Sequence, residues 1–225
     1  MNNALKSAVL GGFVALGLVA NAHAVVIIDN TTQGYYNAGI GQLLDGTNPC
    51  PVPTCSVNTF LFPNANSNPN DPTINPVPFE PDLSTAAVPL GNWLTTPGSL
   101  GGAWSGLQAI PSTWAINSET AVVYAFEGGF TNVVASLGVD NGIFVWLNGT
   151  FVGGQLKPGG VTPGELVLNL GNLSSGTNYL QILREDHGGS AGYDISVAGT
   201  PVPEPSTIFV LGLGLLGLGA LRRRR

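Results

Sequence analysis

The densest group of reactive side chains lies near the end of the chain, at Arg184, Glu185, Asp186 and His187. The guanidinium group of Arg184 could hold a carboxylate or an acidic sugar through two parallel hydrogen bonds. The imidazole of His187 could bind a ligand or exchange a proton near neutral pH. The alternative is an internal pair between Arg184 and an acidic residue at a strand end, followed by a glycine turn. The sequence leaves both interpretations open.

A second group of candidate ligand-binding residues begins at Asp140 and Asn141. Both residue types are common in turns, and the same side chains could contact a sugar. The apolar run that follows contains Trp146 and ends at the pair Asn148-Gly149, which strongly favours a two-residue β-hairpin turn. We therefore retain Asp140, Asn141, Trp146 and Asn148 as candidate ligand contacts.

Three further tryptophans, Trp93, Trp104 and Trp114, lie close together in the middle of the chain. Aromatic side chains can stack on the apolar faces of sugars, so these residues could form a glycan-binding platform. Packing in the core and beneath loops is the alternative, because tryptophan contributes a large apolar surface to protein interiors.

The sequence predicts no catalytic residue, no metal-ligand set and no cofactor. It contains no phosphate-binding loop, dinucleotide-binding fingerprint, H-E-x-x-H pair or G-x-S-x-G nucleophile turn. Glycoside hydrolysis needs two carboxylates at a defined separation. Such a pair is not diagnostic here, because a chain with 13 acidic residues contains many.

The two cysteines, Cys50 and Cys55, are the only ones in the chain. A disulfide between them is predicted if the protein is exported, because oxidising compartments allow such bonds to persist. The spacing is not C-x-x-C, which gives a redox role little support.

Charge excludes one class of partner. Between the two terminal segments only Lys157 and Arg184 are basic, against twelve acidic residues, which gives that region a net charge of -10. Binding to nucleic acid depends on lysine and arginine contacts to phosphates. We therefore expect no nucleic-acid partner.

Hydrophobic patterning predicts an all-β body. Charged residues make up only 9% of the chain, while it contains 32 glycines and 17 prolines without a strict period. Short apolar segments recur between turn residues from position 119 to position 198, a spacing typical of a β-sandwich. Repeated prolines at about 49–82 predict a long irregular loop, since proline interrupts both helices and strand ladders.

The N-terminal residues 1–24 have the three parts of a secretory signal peptide. Lys6 supplies the positive charge, a short apolar run follows, and Ala22-His23-Ala24 forms an A-x-A cleavage site. A permanent anchor is the alternative, although the apolar run is short for a membrane span. The exported body is therefore predicted at residues 25–201.

The C-terminal residues 202–225 form a second targeting segment. Pro203, Glu204 and Pro205 precede an apolar stretch at 206–221, and Arg222, Arg223, Arg224 and Arg225 end the chain. Arginines remain on the cytoplasmic side of a membrane, so the body is predicted outside. A plain tail anchor would have the same charge pattern.

The order Pro-Glu-Pro, apolar helix and arginine cluster closely resembles the PEP-CTERM sorting signal of Gram-negative bacteria. This resemblance implies processing by an exosortase, a membrane-embedded enzyme that would cut near Pro203–Pro205. The inner membrane would then hold the helix only transiently. Proteins with this signal are typically associated with exopolysaccharide and biofilm production.

The segment from Val139 to Gly149 resembles a pattern of galactose-binding-like jelly rolls, in which Asp-Asn-Gly leads into alternating apolar residues and Leu-Asn-Gly. The resemblance implies a jelly-roll-like β-sandwich. Many such domains bind carbohydrate, and some hold a structural calcium ion, which stays an open alternative here. Fold alone does not assign function.

These features together predict an exported surface or matrix protein with a non-catalytic, carbohydrate-binding or structural role in an extracellular polysaccharide layer. Two alternatives are a secreted hydrolase acting on that polysaccharide and a structural protein that associates with itself.

Overall fold

Two antiparallel sheets build the body of the protein in the computed structural model, which describes residues 23–50, 60–64, 73–202 and 214. The first sheet has four strands in the order β1 (Val25–Asp29), β12 (Gly192–Pro201), β7 (Phe130–Asp140) and β10 (Leu166–Leu173). The second sheet has six strands in the order β5 (Gln108–Ala109), β2 (Gln33–Gly41), β6 (Glu119–Glu127), β11 (Thr177–Glu185), β8 (Gly142–Leu147) and β9 (Thr150–Leu156).

Smaller elements lie outside these sheets. A short hairpin consists of β3 (Thr47–Pro49) and β4 (Phe60–Phe62). A 3₁₀ turn at Ser84–Ala86 continues into the helix α1 (Ala87–Leu90). The all-β prediction is therefore confirmed at the level of the sheets.

The main core lies between the two sheets. Leu137 and Val197 from the four-stranded sheet share this core with Val122 and Ile182 from the six-stranded sheet, and all four are fully buried. Alternation of side chains along each strand explains the pattern, because every second residue points to the same face.

The six-stranded sheet also buries its second face. Ala121, Phe144 and Trp146 on this face belong to a second core with Phe62 and Val77, which come from the proline-rich segment predicted as a long irregular loop. The described part of that segment packs on the sheet as a covering layer. One part of it joins the sheet edge, where Ile74 exchanges backbone hydrogen bonds with Leu156.

The strand predictions in the second half of the chain agree with the structure, and the Asn148-Gly149 hairpin turn is confirmed. Both turn residues have positive φ, 51° and 78°, as the favoured hairpin turn requires. Strand β2 was not predicted, because its sequence is rich in Gly, Asn and Tyr and alternates weakly.

The predicted signal peptide and sorting helix fall almost entirely outside the described residues. Only His23, Ala24 and Gly214 of these segments are described. Within the described ranges, no helix has the length and apolar character needed to cross a membrane. Cys55 also lies outside the described residues, so the Cys50–Cys55 disulfide stays a prediction.

Replacing Gly149 with alanine should destabilise the fold strongly. A Cβ at Gly149 would lie 2.1 Å from the carbonyl oxygen of Leu94, in addition to the cost of a positive φ. Gly171→Ala is a matched control, because its φ is +75° and no atom lies within 4 Å of the added Cβ. We expect a loss of about 1 kcal/mol for the control, from the left-handed backbone alone, and a clearly larger loss for Gly149→Ala in urea denaturation. Equal losses of stability in the two variants would contradict the close approach of Gly149 to the carbonyl group of Leu94.

Candidate functional site

A buried acid cluster lies at one end of the six-stranded sheet, and we define it as Asp45, Glu119, Glu185 and His187. Glu119 is the first residue of β6 and Glu185 the last of β11. Arg184 of β11 pairs with Thr120 of β6. The next residues along this antiparallel ladder are Glu185 and Glu119, so their carboxylates are neighbours. Both lie on the face of the second core, two residues from Ala121 and Leu183 respectively.

Glycines on the adjacent strands make room for the cluster. Gly142 of β8 pairs with Glu185, and a Cβ at Gly142 would lie 2.2 Å from Oε1 of Glu185. Gly41 of β2 pairs with Glu119 on the other side. The sheet therefore has two carboxylates flanked by residues without side chains.

His187 is held against these carboxylates by its backbone. Its N–H donates to Oδ1 of Asn141 at 2.8 Å, and the N–H of Asn141 donates to the carbonyl of Glu185 at 2.9 Å. As a result, Nε2 of His187 lies 3.9 Å from Oε1 of Glu119, and Nδ1 lies 3.8 Å from Oε2 of Glu185. Asn141 thus positions the loop that carries the histidine.

Burial sets the protonation of this cluster. Glu119 is fully buried, which raises its pKa to about 9, and the negative charge of Asp45 adds to the shift. Burial also lowers the pKa of His187, although Asp45 opposes that shift. At neutral pH the carboxyl group of Glu119 therefore carries a proton, and the imidazole of His187 is uncharged.

Arg184 lies on the opposite face of β11, where it points into the main core. Its guanidinium donates to Oγ1 of Thr120 at 3.1 Å and to the carbonyl of Pro111 at 2.9 Å. It also stacks over Trp114, 4.4 Å from the ring centre, and over Tyr193 at 4.6 Å. No carboxylate is among the described contacts of Arg184, and its side chain is fully buried.

The other predicted contact residues are mostly inaccessible. Asp186 accepts a hydrogen bond from the backbone of Asn117 and is fully buried. Trp146 is also fully buried and donates to Glu80 at 2.5 Å. Asp140 is 5% exposed and accepts a hydrogen bond from Ser190. These side chains make hydrogen bonds that support the fold. In the described structure they are too buried to contact a ligand as predicted.

Asn148 is the exposed member of the predicted set, and its side chain serves the hairpin. Its Oδ1 accepts from the N–H of Tyr179 at 2.8 Å, while its amide donates to Asn178 at 3.0 Å. Both polar atoms therefore fix the turn to strand β11.

The three clustered tryptophans do not form one platform. Trp93 is 2% exposed and packs against Trp104 with ring centres 5.9 Å apart, in the second core. Trp114 packs in the main core, on the other side of the six-stranded sheet. Only Trp104 and Trp114 are partly exposed.

Two shallow depressions open near Trp93 and Trp104. The first has a volume of about 350 Å³ and is lined by Tyr35, Pro97, Gly98, Leu100, Gly101, Gly102, Trp104 and Ser105. The second has a volume of about 330 Å³ and includes Glu80, Asp82, Leu83 and Leu94 in its lining. We call the first of these the Trp104 depression.

Sequence reasoning found His187 and Glu185 but missed Asp45 and Glu119. Asp45 belongs to an Asp-Gly pair, which is a common turn signal, and Glu119 stands directly before an apolar strand. Neither local pattern predicts that the two side chains meet. Their proximity follows from the register of β2, β6 and β11.

The C-terminal end of the chain settles its destination. Residues 201–225 match the PEP-CTERM protein-sorting motif. The chain carries a PEP-CTERM sorting signal. It is therefore exported across the inner membrane to the cell surface or extracellular space, and the PEP-CTERM signal implies an exosortase as its processing partner. The residues from Pro203 to Arg225 lie outside the described structure, Gly214 excepted.

Comparisons of the body are much weaker. No curated protein matches the chain. It is similar to the PA14 domain of an antifreeze protein at 12% identity, over 78% of this chain and 84% of that one, with a TM-score of 0.29. It is also similar to a GH31 alpha-xylosidase from Xanthomonas citri at 12% identity, with a TM-score of 0.27. That likeness covers 41% of this chain and only 12% of the xylosidase. Neither likeness is close enough to assign an activity.

Arg184→Ala should be far more damaging than Lys157→Ala, although these are the two basic residues of the body. Loss of Arg184 removes buried cation–π contacts and leaves Thr120 and Pro111 without their donor, which we expect to cost about 3 kcal/mol or more. Lys157 is 46% exposed and pairs with Glu165, so its loss should cost less than about 1 kcal/mol. Urea denaturation of the two variants measures both values, and similar losses would contradict a structural role for Arg184.

Proposed function

We propose that this exported PEP-CTERM protein has a non-catalytic role in an extracellular polysaccharide layer, where it binds neutral glycans. The observation that carries the proposal is the Trp104 depression on a body destined for the cell surface or the extracellular space. Its volume is at the lower end of the range for small-molecule sites, and its shallow shape suits a ligand that stacks on the surface. We also propose that residues 1–24 are removed as a signal peptide and that the body is a jelly-roll-like sandwich.

The Trp104 depression has the components that sugar binding needs. Trp104 and Tyr35 are half-buried, so each ring has an accessible part. The indole of Trp104 is fixed by its N–H, which donates to the carbonyl of Leu90 at 2.9 Å, and by packing on Trp93. A fixed aromatic ring loses little entropy when a sugar stacks on it. Glycines at 98, 101 and 102 expose backbone polar groups alongside.

Charge favours neutral over acidic sugars. The body carries only two basic residues against twelve acidic ones, and one of the two, Arg184, is fully buried. An acidic polysaccharide would be repelled by a surface of this charge, since like charges oppose association. A neutral glycan meets no such barrier.

A catalytic role as a hydrolase has less support than glycan binding. In the buried acid cluster, the carboxylates of Glu119 and Glu185 are at most 1% exposed. A glycosidase must present its two carboxyl groups on either side of a bound sugar. Within the described residues, the buried acid cluster offers no such opening.

Self-association is a second candidate role, favoured by the outer face of the four-stranded sheet. Val26 is 62% exposed, Val134 is 37% exposed and Val167 is 61% exposed. The ladder links them, because Val26 and Val134 both pair with Ala198 on β12, while β10, which carries Val167, pairs with β7. An exposed apolar patch of this kind is typical of interaction surfaces.

Trp104→Ala should weaken glycan binding by the exported protein while leaving it folded. The expected loss is at least about 5-fold in affinity, since stacking on one aromatic ring contributes about 1 kcal/mol or more. A glycan array identifies the ligand, and calorimetry measures the affinity. Trp104→Phe is the control, because it retains a ring and should retain most binding. Unchanged binding by a folded Trp104→Ala variant would contradict the site, and a negative array with folded wild type would contradict glycan binding.

The Val167→Thr substitution tests whether the protein associates with itself through the outer face of the four-stranded sheet. Threonine has nearly the same shape as valine, and its hydroxyl group makes association through an apolar face less favourable. Light scattering of the exported protein should show a larger assembly for the wild type than for Val167→Thr. Val88→Thr, at an 88% exposed position on α1, should behave as the wild type. A monomeric wild type would exclude this role.

A further inference from the structure

Asp45, Glu119 and His187 place metal-binding atoms together from three separate segments of the chain. Asp45 follows β2, Glu119 begins β6 and His187 follows β11. One donor atom from each residue lies within 4.8 Å of the donors of the other two. The fold thus brings together three possible metal ligands that are far apart in sequence.

The histidine provides an independent sign of a missing partner. His187 is only 4% exposed, and neither ring nitrogen makes a hydrogen bond of normal geometry within the described residues, although the carbonyl of Pro63 lies close enough to interact with the ring. The fully buried Glu119 likewise makes no hydrogen bond of normal geometry through either carboxylate oxygen, although the carboxyl group of Asp45 lies beside it. Buried polar groups without partners are uncommon in folded proteins and call for an explanation. A bound cation would satisfy both side chains at once.

The separation of the donor atoms suits a shared ion. Two donors each about 2.1 Å from one cation lie between about 3 Å and 4.2 Å apart, depending on the angle at the metal. The 3.9 Å between Nε2 of His187 and Oε1 of Glu119 falls in this range. The two side chains are therefore close to the positions that a common metal ion requires.

The choice of ligands points to the class of ion. Calcium and magnesium take oxygen ligands almost exclusively, whereas imidazole nitrogen is typical of sites for zinc and its first-row neighbours. One imidazole with two carboxylates is a mixed nitrogen and oxygen set. We propose that Asp45, Glu119 and Nε2 of His187 bind one divalent first-row transition metal ion, with Zn²⁺ and Mn²⁺ as the ions of choice.

The surroundings of the histidine agree with this assignment. A histidine that ligates a metal through one nitrogen usually directs the other toward a carboxylate or carbonyl group. Nδ1 of His187 faces Oε2 of Glu185 at 3.8 Å, which is longer than a hydrogen bond. Glu185 would act as a positioning residue for the ring once this distance shortens on metal binding. Asn141 fixes the backbone of His187 by the hydrogen bond described above.

The ion would have a structural role that is independent of glycan binding. It would join the loop after β2 and the loop after β11 to the first residue of β6, at the end of the sheet where two carboxylates are buried. Positive charge at this position would offset the negative charge of the acidic side chains around it.

The test uses the full-length chain, purified in mild detergent and stripped of metal with a chelator. Calorimetric titration with Zn²⁺, Mn²⁺ or Ca²⁺ alone should give one site for Zn²⁺ or Mn²⁺, with a higher melting temperature on binding. Glu119→Gln and His187→Gln should each weaken this binding by about 100-fold or more, and Glu185→Gln by about 10-fold or more.

Matched controls separate this site from adventitious binding. Glu127→Gln changes the exposed acid at the other end of β6, and His23→Gln changes the second histidine of the chain. Both should bind metal as the wild type does. Absence of binding by the wild type, binding of Ca²⁺ alone, or equal affinity in Glu119→Gln and Glu127→Gln would overturn the proposal.

A measurement on the wild type covers the case in which a variant fails to fold. X-ray absorption of the zinc-loaded protein should show a first shell of nitrogen and oxygen with the signature of one imidazole. A first shell of oxygen alone would overturn the assignment. A negative glycan array would leave this outcome unaffected, so the two proposals fail separately.

Discussion

Burial of the six-stranded sheet on both faces is the constraint on which the rest of the structure depends. One face packs on the four-stranded sheet, and the other needs a cover because Ala121, Phe144 and Trp146 are apolar. The described part of the segment between β2 and β6 supplies that cover with irregular chain, one short hairpin and the 3₁₀ turn that leads into α1. Prolines disfavour long ladders in this segment, yet its apolar side chains fill the second core. The Trp104 depression is a consequence, since it forms where this cover meets the sheet.

Polar groups inside such a protein must satisfy each other, because few charges are available. Arg184 is stabilised by aromatic rings and by neutral oxygen atoms in the main core. On the opposite face of the same strand, Glu185 belongs to the buried acid cluster. A single strand end thus presents a cation to one core and a carboxylate to the other.

Export and fold are encoded in different parts of the chain. The PEP-CTERM signal occupies residues 201–225, while the described sheets lie between Val25 and Pro201. The sorting signal fixes the destination of the body without restricting its surface chemistry. The roles proposed for the body therefore rest on the Trp104 depression and the apolar outer sheet face, and not on the sorting signal.

The amino-acid sequence by itself determined the sorting signal, the all-β class, the strands after position 119 and the Asn148-Gly149 turn. These features depend on local order, alternation and turn chemistry, which are visible in consecutive residues. Only the tertiary structure decided that the proline-rich segment covers a sheet, that Trp146 and Arg184 are buried, and that Asp45 and Glu119 meet His187. Strand register and the packing of distant segments produce these contacts, and no short stretch of sequence specifies them.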